Sequence, residues 1–207
     1  MATATPRLHV DQMRSALAGP FSFSLQAGEC LAISGPSGSG KSLLLRMLCD
    51  LDPNTGTVTL DGKPRNSMSA PAWRSKVLYQ PAEAGWWDPT PATHFRPQQM
   101  ERVHALLPRL GLSSTHLNNE VRLLSTGERQ RMALIRSLAC EPQVLLLDEP
   151  TAALDPESVS AVQQLLQEEL AKGMSLVLVT HSEDQARLLG RRRIRMENRC
   201  LSEWSGA

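Results

Sequence analysis

Apolar residues along this chain fall into short unbroken runs, and stretches of helical period lie between them. ECLAIS at 29–34, TVTLDG at 57–62, KVLYQ at 76–80, QVLLLDE at 143–149 and SLVLVTH at 175–181 each read as a strand. Consecutive apolar positions such as VLLL and LVLV suit parallel strands buried on both faces. Phe21, Phe23 and Leu25 instead alternate with serines, as a half-buried strand does. The sheet is therefore expected to be mixed and mainly parallel, with an antiparallel β portion near the N-terminus. Helical patterns follow at 41–51, 98–110, 125–140, 156–172 and 182–189, and this alternation with strands predicts an α/β core. The chain changes character after Gln80: AEAGWWDPTPATHFRPQ, at 82–98, is proline-rich and poor in strand formers. It reads as the start of an inserted helical lobe over about 81–140, within a single domain spanning 1–207.

Composition narrows the class without naming a partner. A chain of 207 residues with 41% hydrophobic and 21% charged residues has material for one buried core. Its 22 basic and 21 acidic residues leave a net charge of +1, which removes the positive field expected of a nucleic-acid binder. Cys30, Cys49, Cys140 and Cys200 are scattered, with no CxxC pair and no zinc spacing. The first residues lack the apolar stretch of a signal peptide, and no run approaches the roughly 20 apolar residues that span a bilayer. A reduced, cytoplasmic protein, soluble by itself, is the expectation.

The chemistry is concentrated in two places. GPSGSGKS, comprising Gly35, Pro36, Ser37, Gly38, Ser39, Gly40, Lys41 and Ser42, matches GxxxxGK[ST] between a predicted strand and a predicted helix. Glycines at 35, 38 and 40 let the backbone bend so that its N–H groups and the helix N-terminus face a triphosphate. Lys41 then neutralises the β- and γ-phosphates, and the Ser42 hydroxyl is a Mg²⁺ ligand. Downstream, an apolar strand ends in Asp148 and Glu149, which places two carboxylates at the carboxyl edge of the sheet. Asp148 is expected to hold Mg²⁺ through water, and Glu149 to polarise the water that attacks the γ-phosphate.

Between these motifs, LSTGE at 124–128 resembles the signature sequence LSGGQ of the ABC ATPases. Read physically, Ser125 and Glu128 form a capping box opening an amphipathic helix. The resemblance extends in order to Gln80, placed like the Q-loop glutamine, to AALD from Ala152, placed like the D-loop, and to His181, placed like the switch histidine. It runs from about Phe21 to about Arg195. It implies an ATPase that binds ATP and Mg²⁺, with Gln80 also a metal ligand and with Glu149, His181, Lys41 and Gln80 as the catalytic set. It further implies a homodimer in which Ser125, Thr126 and Gly127 of one copy touch the ATP held by the P-loop of the other. A separate transmembrane subunit supplies the only membrane association, at the inner face of the cell membrane. No nucleic-acid partner is expected.

Several residues depart from the family pattern. Leu43 stands where a threonine commonly meets the α-phosphate, Thr126 and Glu128 replace a glycine and a glutamine of the signature, and Ala152 replaces a D-loop serine. The stretch 7–15, where the family carries an aromatic residue against adenine, offers only His9. The adjacent Trp86 and Trp87 are candidates for the floor of a membrane-partner groove or for the core of the lobe. RRRIR at 191–195, with Arg199 nearby, reads as a solvated charged edge or a surface for anionic lipid. Two other functions are weighed against transport. An ABC ATPase acting on nucleic acid or ribosomes would need a coiled coil, zinc modules or a second cassette, for which 207 residues leave no room. A purely regulatory ATP-binding module would not need Glu149 and His181.

Overall fold

The computed structural model describes residues 5–203. Strand β1 (Leu8–Arg14), β2 (Phe21–Leu25), β4 (Thr55–Leu60) and the short β5 (Lys63–Pro64) form an antiparallel sheet in the order β2-β1-β4-β5. As the alternation predicts, β2 buries Phe21, Phe23 and Leu25 and turns Ser22 outward. The second sheet contains β3 (Cys30–Ser34), β6 (Val77–Gln80), β7 (Val144–Asp148), β8 (Ser175–Val179), β9 (Arg192–Glu197) and β10 (Cys200–Glu203). Its order is β10-β9-β3-β8-β7-β6, with every pair parallel except β10 against β9.

The unbroken apolar runs are explained by burial on two sides. Val144, Leu146, Val177 and Val179 face a core shared with the antiparallel sheet and α1 (Lys41–Leu48). Leu145, Leu147, Leu176 and Leu178 face a second core, built with α6 (Pro156–Ala171) and the helices that follow Gln80. Between Gln80 and Val144 there is no strand among the described residues. This stretch holds α3 (Met100–Leu106), α4 (Thr115–Asn118), α5 (Thr126–Leu138) and four short 3₁₀ turns.

Three expectations need adjustment. The helix expected over 98–110 is interrupted: Pro108 cannot continue the ladder, so α3 stops at Leu106 and a 3₁₀ turn covers Pro108–Leu110. The helix expected over 41–51 ends at Leu48. A further helix, α2 (Ala70–Lys76), stands just before β6, anchored by buried Trp73, whose Nε1–H donates to the Leu48 carbonyl at 2.9 Å. The last helix, α7 (Glu183–Leu189), is capped by Ser182, whose hydroxyl accepts from the Gln185 N–H.

The arginine run at 191–195 lies mostly in β9, where its side chains bind within the fold. Arg192 reaches the Ser24 carbonyl at 2.6 Å and Glu29 at 3.5 Å, and Arg195 pairs with Glu197 at 2.6 Å.

Candidate functional site

Four neighbouring strands, β3, β8, β7 and β6, end at one edge of the parallel sheet, and their register aligns those ends. Ile33 pairs with Val179, Asp148 with Val179, and Gln80 with Leu147. The loop 35–40 leaves β3, His181 follows β8, Asp148 and Glu149 close β7, and Gln80 closes β6. Ligands of open α/β sheets gather at such an edge.

The loop 35–40 is wrapped so tightly that a side chain at position 35 has no room. A Cβ on Gly35, whose φ is 147°, would lie 2.1 Å from the Met196 carbonyl oxygen. Gly40, at φ 105°, is the N-cap of α1 and supplies no capping side chain. The first N–H groups of α1 thus have no side-chain cap, and an anion can take that place. Lys41 is buried, and its ammonium donates to the carbonyls of Gly35 (2.8 Å) and Pro36 (2.9 Å), closing the loop on itself. Burial pulls its pKa below the ordinary value, and the charges of Glu149 and Asp148 offset part of that fall. A cavity of about 320 Å³ opens beside the loop, lined by Ser37, Gly38, Gly40, Lys41, Ser42, Leu43, Asp148 and Glu149, with Leu17 and Arg199 at its rim. Leu43 presents an apolar side chain there, and His9, exposed on β1, does not line the cavity.

Glu149 turns the chain sharply. Its φ is 48°, a left-handed conformation costing a side-chain-bearing residue about 1–3 kcal/mol. Three bonds hold the turn: its N–H donates to the Val179 carbonyl at 2.9 Å, and its own carbonyl accepts from Gln130 Nε2 at 2.9 Å and from the Ala152 N–H at 3.4 Å. The carboxylate meets His181 twice, accepting from the backbone N–H at 3.3 Å and lying 3.3 Å from ring Nε2. Burial raises the carboxyl above its ordinary pKa, while His181 opposes the rise. Asp148, buried beside it, accepts from the Tyr79 hydroxyl at 3.2 Å. Burial, followed by the charge of Asp148, pushes the Tyr79 phenol well up, so it remains a donor.

Gln80 is only 4% exposed, and its Oε1 has no hydrogen-bond partner among the described residues. A buried carbonyl oxygen left unpaired is costly, which fits an atom reserved for a cation. The Asp148 carboxylate and the Ser42 hydroxyl both line the P-loop cavity, and the register of β6 and β7 puts Gln80 at the same sheet edge. The buried Ser39 hydroxyl is likewise without a partner.

The residues at 125–127 do not line the P-loop cavity. Ser125 caps α5 through the predicted box: its hydroxyl accepts from the Glu128 N–H at 3.2 Å, and Glu128 Oε2 accepts from the Ser125 N–H at 2.7 Å. Thr126 borders a separate cavity of about 550 Å³, with Gln80, Trp86, Gln130, Glu149 and Ala152.

Trp86 and Trp87 separate. Trp86 packs against the lobe core, whereas Trp87 is 72% exposed and lines a groove of about 1150 Å³. The Arg136 guanidinium lies 4.4 Å from the Trp86 ring and 5.1 Å from that of Trp87, and His94 packs against both rings.

Three participants escaped the sequence reading. Tyr79 was visible only as part of a strand. Gln130 ties α5 to the acidic turn, donating to Glu149 and accepting from the Ala153 N–H at 3.3 Å. Arg199, read in the sequence only as part of a basic edge, reaches the P-loop from the last hairpin. All three act through contacts distant in sequence, which no local pattern announces.

The profile of the ABC transporter family matches residues 19–152. The chain is 34% identical over 197 residues to the arginine transport ATP-binding protein ArtM of Bacillus subtilis, covering 88% of this chain and 82% of that protein. It is 36% identical to the aliphatic sulfonates import ATP-binding protein SsuB 2 of Agrobacterium fabrum, covering 85% and 68%. It is 38% identical to the macrolide export ATP-binding/permease protein MacB of Rhodospirillum rubrum, covering 80% of this chain but 28% of that longer protein. Among solved structures, a bacterial Atm1-family ABC exporter with ATP bound superposes with a TM-score of 0.84 at 22% identity, covering 98% of this chain and 39% of that one. An ATP binding subunit of an ABC transporter superposes with a TM-score of 0.84 at 21% identity, covering 95% and 89%. The cradle at the sheet edge and these likenesses agree: the chain belongs to the ABC transporter family, as an ATP-binding subunit with ATPase activity.

Proposed function

We propose that two copies of this chain close on two ATP molecules and hydrolyse them with Mg²⁺, driving a separate membrane subunit. The observation that carries the reading is the convergence of Lys41, Gln80, Asp148, Glu149 and His181 on one sheet edge, while 125–127 lie off the P-loop cavity of their own chain. In this reading a signature turn that meets a γ-phosphate meets one held by a second copy.

In this reading the backbone of 35–40 and the N-terminus of α1 bind the triphosphate, and Lys41 exchanges its two carbonyl bonds for phosphate oxygens. Ser42, Gln80 and Asp148 hold Mg²⁺, which when bound neutralises charge on the β- and γ-phosphates. Glu149, kept in a left-handed turn, orients the attacking water and accepts its proton; burial has already made that carboxylate more basic. His181 holds the Glu149 carboxylate through its backbone N–H, with ring Nε2 3.3 Å from that carboxylate, and on ATP binding its exposed ring would meet the γ-phosphate. Ser125, Thr126 and Gly127 complete the partner's site.

The 207 residues act as one ATPase domain whose helical lobe, about 81–140, carries the signature turn. No helix among the described residues is long and apolar enough to cross a membrane. In this reading the attachment to the inner face of the cell membrane runs through the partner. The large groove beside Gln80, bordered by Arg74, Arg96, Arg136 and Trp87, is the proposed seat for that partner. A near-neutral charge supports no nucleic-acid role.

The test is light scattering on purified Glu149→Gln protein with ATP and Mg²⁺. A monomer that becomes a dimer only with nucleotide is expected; a mass unchanged by ATP would sink the composite site.

A further inference from the structure

Strand β6 is the outermost strand of the parallel sheet and pairs with β7, so the side chains of both alternate between the two cores in step. Val77 and Tyr79 face the core shared by α1 and the antiparallel sheet, as Val144 and Leu146 of β7 do. Tyr79 is in register with Leu146, and Asp148 lies two residues beyond Leu146 on the same face. The phenol of β6 thereby meets the carboxylate that closes β7: the Tyr79 hydroxyl donates to Asp148 Oδ2 at 3.2 Å.

Packing alone does not call for that hydroxyl. The half-buried ring of Tyr79 lies against the core, where a phenylalanine ring would fit as well. The O–H needs a polar partner there, and the one it has is an oxygen of a carboxylate only 7% exposed. No other hydrogen bond or ion pair reaches Asp148 among the described residues. Lys41, which also lines the P-loop cavity, has its ammonium on the carbonyls of Gly35 and Pro36. The last torsion of an aspartate is broad and two-fold, so an untethered carboxylate turns freely. The Tyr79 bond restricts that rotation and takes up one oxygen, which leaves Oδ1 without a bond beside the cavity.

We propose that Tyr79 is a positioning residue for the metal site, its hydroxyl fixing the Asp148 carboxylate so that Oδ1 is left for the water shell of Mg²⁺. This rests on the reading that Asp148 helps to hold Mg²⁺, and it adds the group that orients it. A ligand carboxylate held in place before the metal arrives loses less freedom on binding, which is why outer-shell hydrogen bonds strengthen metal sites.

The rival role is packing of the sheet edge. Calorimetric titration of ATP, once with EDTA and once with excess Mg²⁺, separates the two in the wild type, Tyr79→Phe, Asp148→Asn and the double variant. Tyr79→Phe keeps the ring in the core, so its metal-free ATP affinity is expected to equal that of the wild type, which also reports an intact fold. Its Mg-ATP affinity is expected to fall about 3- to 10-fold, because loss of an outer-shell hydrogen bond costs roughly 10- to 100-fold and Asp148 reaches the metal through water. Asp148→Asn should lose the benefit of Mg²⁺ by itself, and adding Tyr79→Phe to it should change neither affinity. Equal weakening with and without metal, an unchanged Mg-ATP affinity in Tyr79→Phe, or a loss that persists in the Asp148→Asn background would each overturn the positioning role. A wild type that binds ATP equally well with EDTA and with Mg²⁺ would overturn the metal reading and this proposal with it. A wild type that binds no ATP would overturn the P-loop reading, and both results appear before any substitution is made.

Discussion

The P-loop edge and the signature turn both present helix N-termini, yet they are built in opposite ways. At the P-loop, α1 begins at a glycine with no capping side chain, and the buried Ser39 hydroxyl and Gln80 Oε1 lack partners among the described residues. At the signature turn, α5 begins at a full reciprocal capping box, so Ser125 and Glu128 satisfy each other. An unsatisfied polar edge is held open for a ligand, and its stability comes from burial behind it. A satisfied turn is stable alone, and in the proposed dimer it presents what remains, the exposed Thr126 and the half-buried Gly127, to the other copy. In the proposed dimer, this contrast would let one chain carry half of each of two sites.

The largest effect should come from the acidic turn at the P-loop edge. Glu149→Gln keeps the size of the side chain and removes the base, so ATP turnover should fall by about 10²- to 10⁴-fold while ATP binding persists. A release assay for phosphate, with binding measured in parallel, checks this. Turnover close to wild type would move the base elsewhere and dissolve the contrast.

Gln130 joins the two regions, because it rises from α5 and holds the Glu149 carbonyl and the Ala153 N–H. Removing it should loosen the base without touching phosphate contacts. Gln130→Ala is expected to lower kcat about 5- to 10-fold, as lost hydrogen bonds worth about 1–1.5 kcal/mol would, with ATP affinity unchanged. Gln130→Glu keeps the acceptor for Ala153 and loses the donor to Glu149, so it should behave like the alanine variant. Full activity in Gln130→Glu would show that the strut to Glu149 carries nothing.

Legibility in sequence followed the same divide between local pattern and distant contact. β3, β7 and β8 announced themselves because both faces are buried, and the P-loop and acidic pair because they lie at the ends of those strands. β1 was missed: Leu8 and Val10 keep period two, but Gln12, at φ 51°, introduces a register shift that moves the next buried residue to Met13. β9 was missed because arginines occupy a strand whose only fully buried side chain is Met196. The capping box of α5 was readable from Ser125 and Glu128 alone, since both partners lie within one helical turn. Tyr79 against Asp148, Gln130 against Glu149 and Arg199 against Leu17 span 69, 19 and 182 residues, and only the fold brings them together.

At the signature turn the expected effects are smaller and fall on stability. Ser125→Ala removes the acceptor for the Glu128 N–H, and loss of such a cap costs about 1 kcal/mol. In a chain of this size that corresponds to a melting point lower by about 2–4 °C. Thermal unfolding of the isolated protein without nucleotide measures it. A drop well beyond this range would mean that the turn is structural scaffolding for its own chain, not a self-sufficient surface offered to another.

The smallest effect separates charge from geometry in the same box. The Ser125 backbone N–H and hydroxyl, followed by His116, hold the Glu128 carboxyl below its ordinary pKa. A carboxylate with a depressed folded pKa contributes stability that is fully present above its unfolded value and is lost as pH falls through the folded one. Glu128→Gln, which installs the glutamine usual in the signature, keeps an acceptor for the Ser125 N–H and drops only the charge. The wild type should therefore melt slightly above Glu128→Gln at neutral pH, by less than the Ser125→Ala deficit, and the gap should close as pH is lowered through the carboxylate range. A gap that holds constant with pH would assign the stabilisation to shape and not to charge. The glutamic acid at 128 would then be a neutral replacement, and the signature turn would differ from the P-loop edge by its hydrogen bonds alone.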